Sequence, residues 1–312
     1  MLMNSRWPVK TLVIVLAATL ATYALVMQIW GGGASTPLAL LWSWNGLAMA
    51  LLCGLNFVLR GLRWRLWMAH QGRHFSLPVA LRLYVAGYTF TPTPGNVGEV
   101  LRGVMLARQP LTLAQSLSVF GAERLADLLC LLLLCLPALA WLTGLVGGQT
   151  PLHTLGALLG VATLALAAVY GVWRWSAPLR LYLLKRFTWL NDAWACLTLR
   201  PFYWFALTLC AWLAQGVAVW LICRALALEL PLFTATSVYA LAMVAGAVST
   251  LPAGLGSMEA TQVALLALHG ATAAQAIAIT AVTRILTLWL AVAAGVVALA
   301  YSVAVSKDIR LS

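Results

Sequence analysis

Charge is what this sequence lacks. Only 8% of its 312 residues are Asp, Glu, Lys or Arg, while 63% are hydrophobic. Ordinary soluble domains carry about a quarter charged residues, so that class is excluded. Carboxylates are scarcer still, at seven, and just three are aspartates: Asp127, Asp192 and Asp308. A multi-aspartate metal motif for phosphotransfer cannot be assembled from them. The six cysteines are scattered, with no Cys-x-x-Cys, and His70, His74, His153 and His269 lie near predicted loops or span ends without metal-ligand spacing. The cysteines therefore read as small apolar residues, and neither a metal nor a cofactor is expected. The polar/apolar alternation of a membrane β-barrel is also missing.

What is present is a series of apolar runs long enough to cross a bilayer as helices, which takes about 20 residues each. They fall near 9–30, 38–59, 113–142, 152–173, 202–227 and 273–303. The expected fold is all-α and polytopic, a single integral membrane domain over 1–312. The first run follows Arg6 and Lys10 but is long and has no small-residue cleavage site, so it reads as a retained span. The net charge of +12 does not indicate nucleic acid, because Lys and Arg gather beside the spans. Arg60, Arg63, Arg65 and Arg73 follow the second run, and Arg174, Arg180, Lys185, Arg186 and Arg200 lie between the fourth and fifth. The turns at 31–37 and 143–152 carry none. By the positive-inside rule the bare turns face outward, which places both termini in the cytoplasm of a cell inner membrane. The stretch 174–200 mixes Trp and Leu with basic residues, and reads either as an amphipathic interfacial helix or as a plain linker.

Two further apolar stretches, 77–108 and 233–269, are each interrupted. The interruptions are Pro92-Thr93-Pro94-Gly95-Asn96-Val97-Gly98-Glu99 and Pro252-Ala253-Gly254-Leu255-Gly256-Ser257-Met258-Glu259, one pattern at an offset of 160 residues. The same offset relates Arg124 to Arg284 and Leu128 to Leu288. Proline removes a backbone donor and glycine is a poor helix former, so each stretch predicts two short helices meeting at a loop within the membrane. Two re-entrant hairpins and six spans, counted against the charge rule, give inverted repeats over about 9–143 and 152–304. Paired broken segments of this kind point to a transporter's binding site.

The candidate substrate-binding residues are Glu99, Arg124, Glu259 and Arg284, with the loop glycines Gly95, Gly98, Gly254 and Gly256. An ionisable group in the membrane is expensive and usually faces a cavity, a partner or a reaction. Each Glu follows a loop at a predicted helix start, where backbone N–H groups stabilise a carboxylate or cradle a phosphate; the two uses compete. Each Arg offers a donor fork suited to carboxylate or phosphate. Glu123 and Asp127 share a helical face at i,i+4, while the matching positions hold Thr283 and Thr287. They are candidates for proton coupling or for ion pairs that only tie helices together.

The segments Pro94-Gly95-Asn96-Val97-Gly98-Glu99-Val100-Leu101-Arg102, Glu123-Arg124-Leu125-Ala126-Asp127 and Leu251-Pro252-Ala253-Gly254-Leu255-Gly256-Ser257-Met258-Glu259 resemble signatures of the lysylphosphatidylglycerol synthase transmembrane-region, or flippase-like domain, family. The likeness covers nearly the whole chain. It implies movement of a lipid between leaflets, without the synthase activity that multidomain relatives place in a cytoplasmic aminoacyltransferase domain. Stand-alone relatives are linked to hopanoid, glycolipid or polysaccharide pathways.

The expected function is a lipid transporter, not an enzyme, whose ligand is a membrane phospholipid or lipid-linked headgroup. That lipid is anionic or zwitterionic, whether aminoacylated, glycosylated or polyprenyl-linked. One alternative is an accessory protein presenting lipid to an enzyme partner in envelope-lipid or polysaccharide synthesis. Another is a membrane enzyme on lipid-linked substrates; Ser257 in a Gly-rich loop with His269 nearby is a faint signal of an intramembrane serine protease instead.

Overall fold

The computed structural model describes residues 39–106, 110–147, 188–249 and 251–306. The expected spans at 9–30 and 152–173 lie outside these. Among the described residues, four helices are long and apolar enough to cross a membrane: Trp44–His70, Leu113–Leu142, Pro201–Ala225 and Ala273–Ala304. The protein is an all-α polytopic membrane protein, with no strand among the described residues.

We number the helices in chain order. Helix α1 spans Trp44–His70, and Ser43 caps it by accepting from the Gly46 N–H at 3.1 Å. The first hairpin consists of α2 (Leu77–Ala86), a 3₁₀ turn at Gly87–Phe90, a loop, a second 3₁₀ turn at Val97–Val100 and the short α3 (Leu101–Val104). Helix α4 (Leu113–Gly147) closes the first half, and α5 (Thr188–Thr198) falls within the second repeat's range. The second half runs through α6 (Pro201–Ala225), then α7 (Leu232–Val248) and α8 (Ser257–Leu268) as its hairpin. It ends with α9 (Ala273–Arg284), a π turn at Ile285–Trp289 and α10 (Leu290–Tyr301).

The 160-residue offset extends to the joints. Thr112 and Gln115 form a reciprocal capping box at the start of α4, with N–H to side-chain oxygen distances of 3.1 and 3.2 Å. Thr272 and Gln275 form the same box at the start of α9, at 3.0 and 3.2 Å. The residue before the helical turn that follows each loop is left-handed in both halves: Asn96 at φ 58° and Gly256 at φ 87°. These are residue types that tolerate that region. Exposed aromatics also match at the fronts of α1 and α6, where Trp42 is 93% and Phe202 88% exposed.

The halves pack by exchange. Helix α1 lies along α6, tied by the Asn56 side-chain amide donating to the Ala211 carbonyl at 2.8 Å. Helix α7 packs on α4, and the corresponding α2 with its 3₁₀ turn packs on α10. Lipid tails are as apolar as leucine, so such contacts depend on close approach between backbones rather than on hydrophobic gain. Gly295 of α10 supplies one: a Cβ there would stand 2.6 Å from the Thr89 nitrogen. The two hairpin tips meet, their backbones running antiparallel side by side at Pro94 and Pro252.

Three expectations change. Helix α1 does not end at 59 but continues to His70, carrying Arg60, Arg63 and Arg65 inside it. Arg60 and Arg63 are buried rather than part of a basic collar, because carboxylates meet them there. The second leg of the first hairpin is a few tight turns over 97–104, not a full short helix. Of the cysteines, five are buried and Cys210 is exposed. In the stretch 174–200, α5 is a helix packed on α4, where a Cβ at Gly121 would meet the Trp189 ring at 2.9 Å.

Gly295→Leu should therefore force α10 away from the first hairpin, costing about 1–3 kcal/mol by overpacking and lowering the thermal midpoint in detergent. Gly54→Ala, whose Cβ would enter open space, should leave that midpoint unchanged or raise it slightly.

Candidate functional site

The first loop is built around two threonines. The Thr93 hydroxyl donates to the Phe90 carbonyl (2.9 Å) and accepts from the Gly98 N–H (2.8 Å), closing the turn. A Cβ on Gly98 would lie 2.7 Å from that same carbonyl, and Gly95 takes φ 58°, so both glycines are needed for the loop's shape. The Thr91 hydroxyl donates to Glu99 Oε1 at 2.9 Å and so orients the carboxylate.

Around Glu99 the first half assembles four guanidinium groups and three carboxylates. Glu99 Oε2 takes Arg102 at 3.1 Å and Arg124 at 3.4 Å. Arg102 also reaches both oxygens of Glu123 at 3.3 Å, and Arg63 lies 3.9 Å from Glu123. Asp127 takes Arg60 at 2.5 Å, Arg63 at 2.8 Å and Arg124 at 3.4 Å. The Arg63 guanidinium donates as well to the Thr208 hydroxyl at 2.9 Å, joining the cluster to α6. Burying a lone ion costs several kcal/mol, and the mutual ion pairing offsets that cost for the seven.

Arg102 is enclosed by aromatics, 4.2 Å over Tyr84 and 6.0 Å from Trp64 and from Tyr88. Its guanidinium fills the space that a Cβ at Gly87 would take, which is why a glycine stands there. Arg124 differs. Its side chain is 31% exposed, against 8% or less for the three other arginines of the cluster, and it lies over Phe120 at 5.2 Å. A small cleft of about 10 Å³, room for little more than one water, is lined by Trp64, Glu99, Arg102, Phe120 and Glu123 among others.

The second half repeats one pair and neutralises the other. Glu259 Oε1 takes Arg284 Nε at 2.6 Å, while Oε2 accepts from the Gly256 N–H at 2.8 Å. The carboxylate thus caps α8 itself. Arg284 also donates to the carbonyls of Ala253 (3.1 Å) and Gly254 (3.3 Å), latching the loop from inside. Gly254 at φ 65° and Gly256 at φ 87° permit the turn. Where the first half has Arg102 on Glu123, the residues 160 further on are Gln262 and Thr283, joined by a neutral hydrogen bond at 3.4 Å.

The structure therefore brings Glu99 to Arg124 and Glu259 to Arg284, and gathers Glu123 and Asp127 into the first pair's cluster. Arg60, Arg63 and Arg102 were not among the expected site residues. Arg102 is buried with them. The available signals were spacing: Arg102 stands three residues after Glu99, and Arg60 and Arg63 share a helical face. Ser257 and His269 are at opposite ends of α8, about 18 Å apart by helix rise. Ser257 bonds to Ser249 and His269 stacks on Trp141, so they form no dyad.

Asp127→Asn should leave Arg60 and Arg63 buried against a neutral amide and destabilise the protein by about 3–5 kcal/mol, visible as a large fall in the tryptophan-fluorescence melting point. Thr283→Val, which removes only a neutral hydrogen bond, should cost about 1 kcal/mol.

Comparison with known proteins agrees with this architecture. A "UPF0104 membrane protein" of Methanothermobacter thermautotrophicus is similar, 31% identical over 93 residues, which is 30% of this chain and 28% of that protein. The match thus spans little more than a quarter of the relative's length. The Lysylphosphatidylglycerol synthase TM region family matches residues 11–295, nearly the whole chain with both hairpins and all seven charged groups of the cluster, and the chain belongs to that family.

Proposed function

We propose that this protein is a lipid transporter of the inner membrane, moving a lipid headgroup between leaflets past the two hairpin tips. One observation carries the reading. Two loops from corresponding places in the halves meet at Pro94 and Pro252, and beside the first of them a partly exposed arginine stands over a buried charge cluster. Non-helical backbone and ionised groups at membrane depth are tolerated where they are enclosed by protein or line a path for a polar solute. Family membership supports a membrane role in lipid handling, and the matched loops support access from either side when the halves are oppositely oriented.

The two arginines have different parts in this reading. Arg284, fully used by Glu259 and two carbonyls, holds the second loop's shape. Arg124, loosely held and accessible, meets the lipid. No catalytic step is assigned, and the cytoplasmic position of both termini belongs to the same proposal.

Reconstitution into proteoliposomes with a fluorescent lipid, read by loss of outer-leaflet fluorescence on quenching, tests it. Arg124→Gln and Glu99→Gln should slow lipid movement about ten-fold or more, the scale of one lost charge-assisted hydrogen bond, with protein insertion unchanged. Arg284→Gln should lower both transport and melting temperature, because the second loop loses its latch. Undiminished transport in Arg124→Gln, or no transport by the wild type, would favour the alternative role of presenting lipid to an envelope enzyme.

A further inference from the structure

Resting on the assignment of Arg124 as the headgroup contact, we infer that the site is selective for lipids carrying a phosphodiester and no amine: singly anionic headgroups, in preference to zwitterionic or aminoacylated ones.

The cluster sets four guanidinium groups, from Arg60, Arg63, Arg102 and Arg124, against three carboxylates, from Glu99, Glu123 and Asp127. It thus carries one positive charge in excess. The excess is accessible at one place only, since Arg124 alone of the four is substantially exposed. Its two ion pairs are both long, at 3.4 Å, and neither acid depends on it. Glu99 keeps Arg102 at 3.1 Å and the Thr91 hydroxyl at 2.9 Å, and Asp127 keeps Arg60 at 2.5 Å and Arg63 at 2.8 Å. Arg124 can therefore turn its fork to an incoming phosphodiester without leaving a carboxylate unpaired, and the single negative charge then balances the cluster.

An ammonium group finds no such place. Every carboxylate in the cluster already has at least two cationic partners, and Glu259 is shared between Arg284 and the start of α8. The other described carboxylates, Asp192 and Glu229, are exposed in α5 and in the α6–α7 turn and take no part in the ion pairs of the cluster. A headgroup amine brought to Arg124 would face a like charge with nothing free to neutralise it.

The surroundings indicate a lipid rather than a free anion. Leu128 and Leu132, at i+4 and i+8 from Arg124 on α4, are exposed, as are the neighbouring Leu125, Leu129 and Leu133. A guanidinium at the end of an exposed leucine stripe suits a molecule with a phosphate and acyl chains.

The test is binding to the purified full-length chain in detergent, read from the shift of its tryptophan-fluorescence melting point. The probes, added in turn, are short-chain phosphatidylglycerol, phosphatidylethanolamine, lysyl-phosphatidylglycerol and inorganic phosphate. The expected result is phosphatidylglycerol binding roughly ten-fold or more tightly than either amine-bearing lipid, with inorganic phosphate far weaker. Arg124→Gln should abolish that preference, Arg124→Lys should retain part of it, and Arg65→Gln, at an exposed arginine outside the cluster, should retain all of it. Equal or tighter binding of an amine-bearing lipid by the wild type would overturn the inference whatever the variants do. So would unchanged phosphatidylglycerol affinity in Arg124→Gln, or phosphate competing at the lipid's own concentration. Selective binding without transport in proteoliposomes would sink translocation and leave this inference standing; equally fast transport of an amine-bearing lipid would do the reverse.

Discussion

The pairing of Arg60 and Arg63 with Asp127 is the constraint on which the first half is organised. Two guanidinium groups one turn apart on α1 close on one carboxylate of α4, and the contact fixes both the rotation and the height of one helix against the other. Without the carboxylate, α1 would have to end before Arg60 or turn those charges to water. With it, the helix continues to His70 and places Trp64 and Trp67 in the core. Because Asp127 is already satisfied by these two, its contact with Arg124 is surplus, and the accessible cation of the cluster is a by-product of a structural pair.

The halves share a skeleton and differ in chemistry. Capping boxes, left-handed residues after the loops, the Glu–Arg pair and the packing of each hairpin on the opposite half all recur. The remaining charges do not. Trp220 and Cys223 stand where Arg60 and Arg63 would be, Gln262 replaces Arg102, and Thr283 and Thr287 replace Glu123 and Asp127. The neutral set needs no compensating partners in a medium where ions are costly, so the second half can hold its loop with one buried ion pair. The repeated elements thus carry the fold, and the unrepeated charges make the first half chemically distinct from the second.

Much of this was legible in the residues. Long apolar runs give the helices, because little else fills 20 consecutive positions without charge. The recurring offset gives both hairpins and both Glu–Arg pairs, because a repeat keeps its internal contacts. Where reading failed, the cause was a tertiary partner. Arg60 and Arg63 look like the basic flank of a span in any local window, and only the position of Asp127 in space makes them interior. Arg102 likewise carries no local mark of burial beyond Glu99 three residues earlier, which holds it. The contrast between Arg124 and Arg284 has no sequence signature, since it depends on whether loop carbonyls turn toward the guanidinium.

The seam at Pro94 and Pro252 has a consequence of its own. Neither residue has an N–H, so the closest approach of the two tips cannot be stitched by donors from the prolines themselves. Most of the loops' polar atoms are bonded within their own half, as Thr93 is to Phe90 and Gly98 and as Arg284 is to Ala253 and Gly254. Drawing the tips apart would leave those intramural bonds intact and strand no amide from the proline pair in hydrocarbon. The junction is built like two bracketed arms, each held by bonds of its own, that meet at a point where neither proline donates.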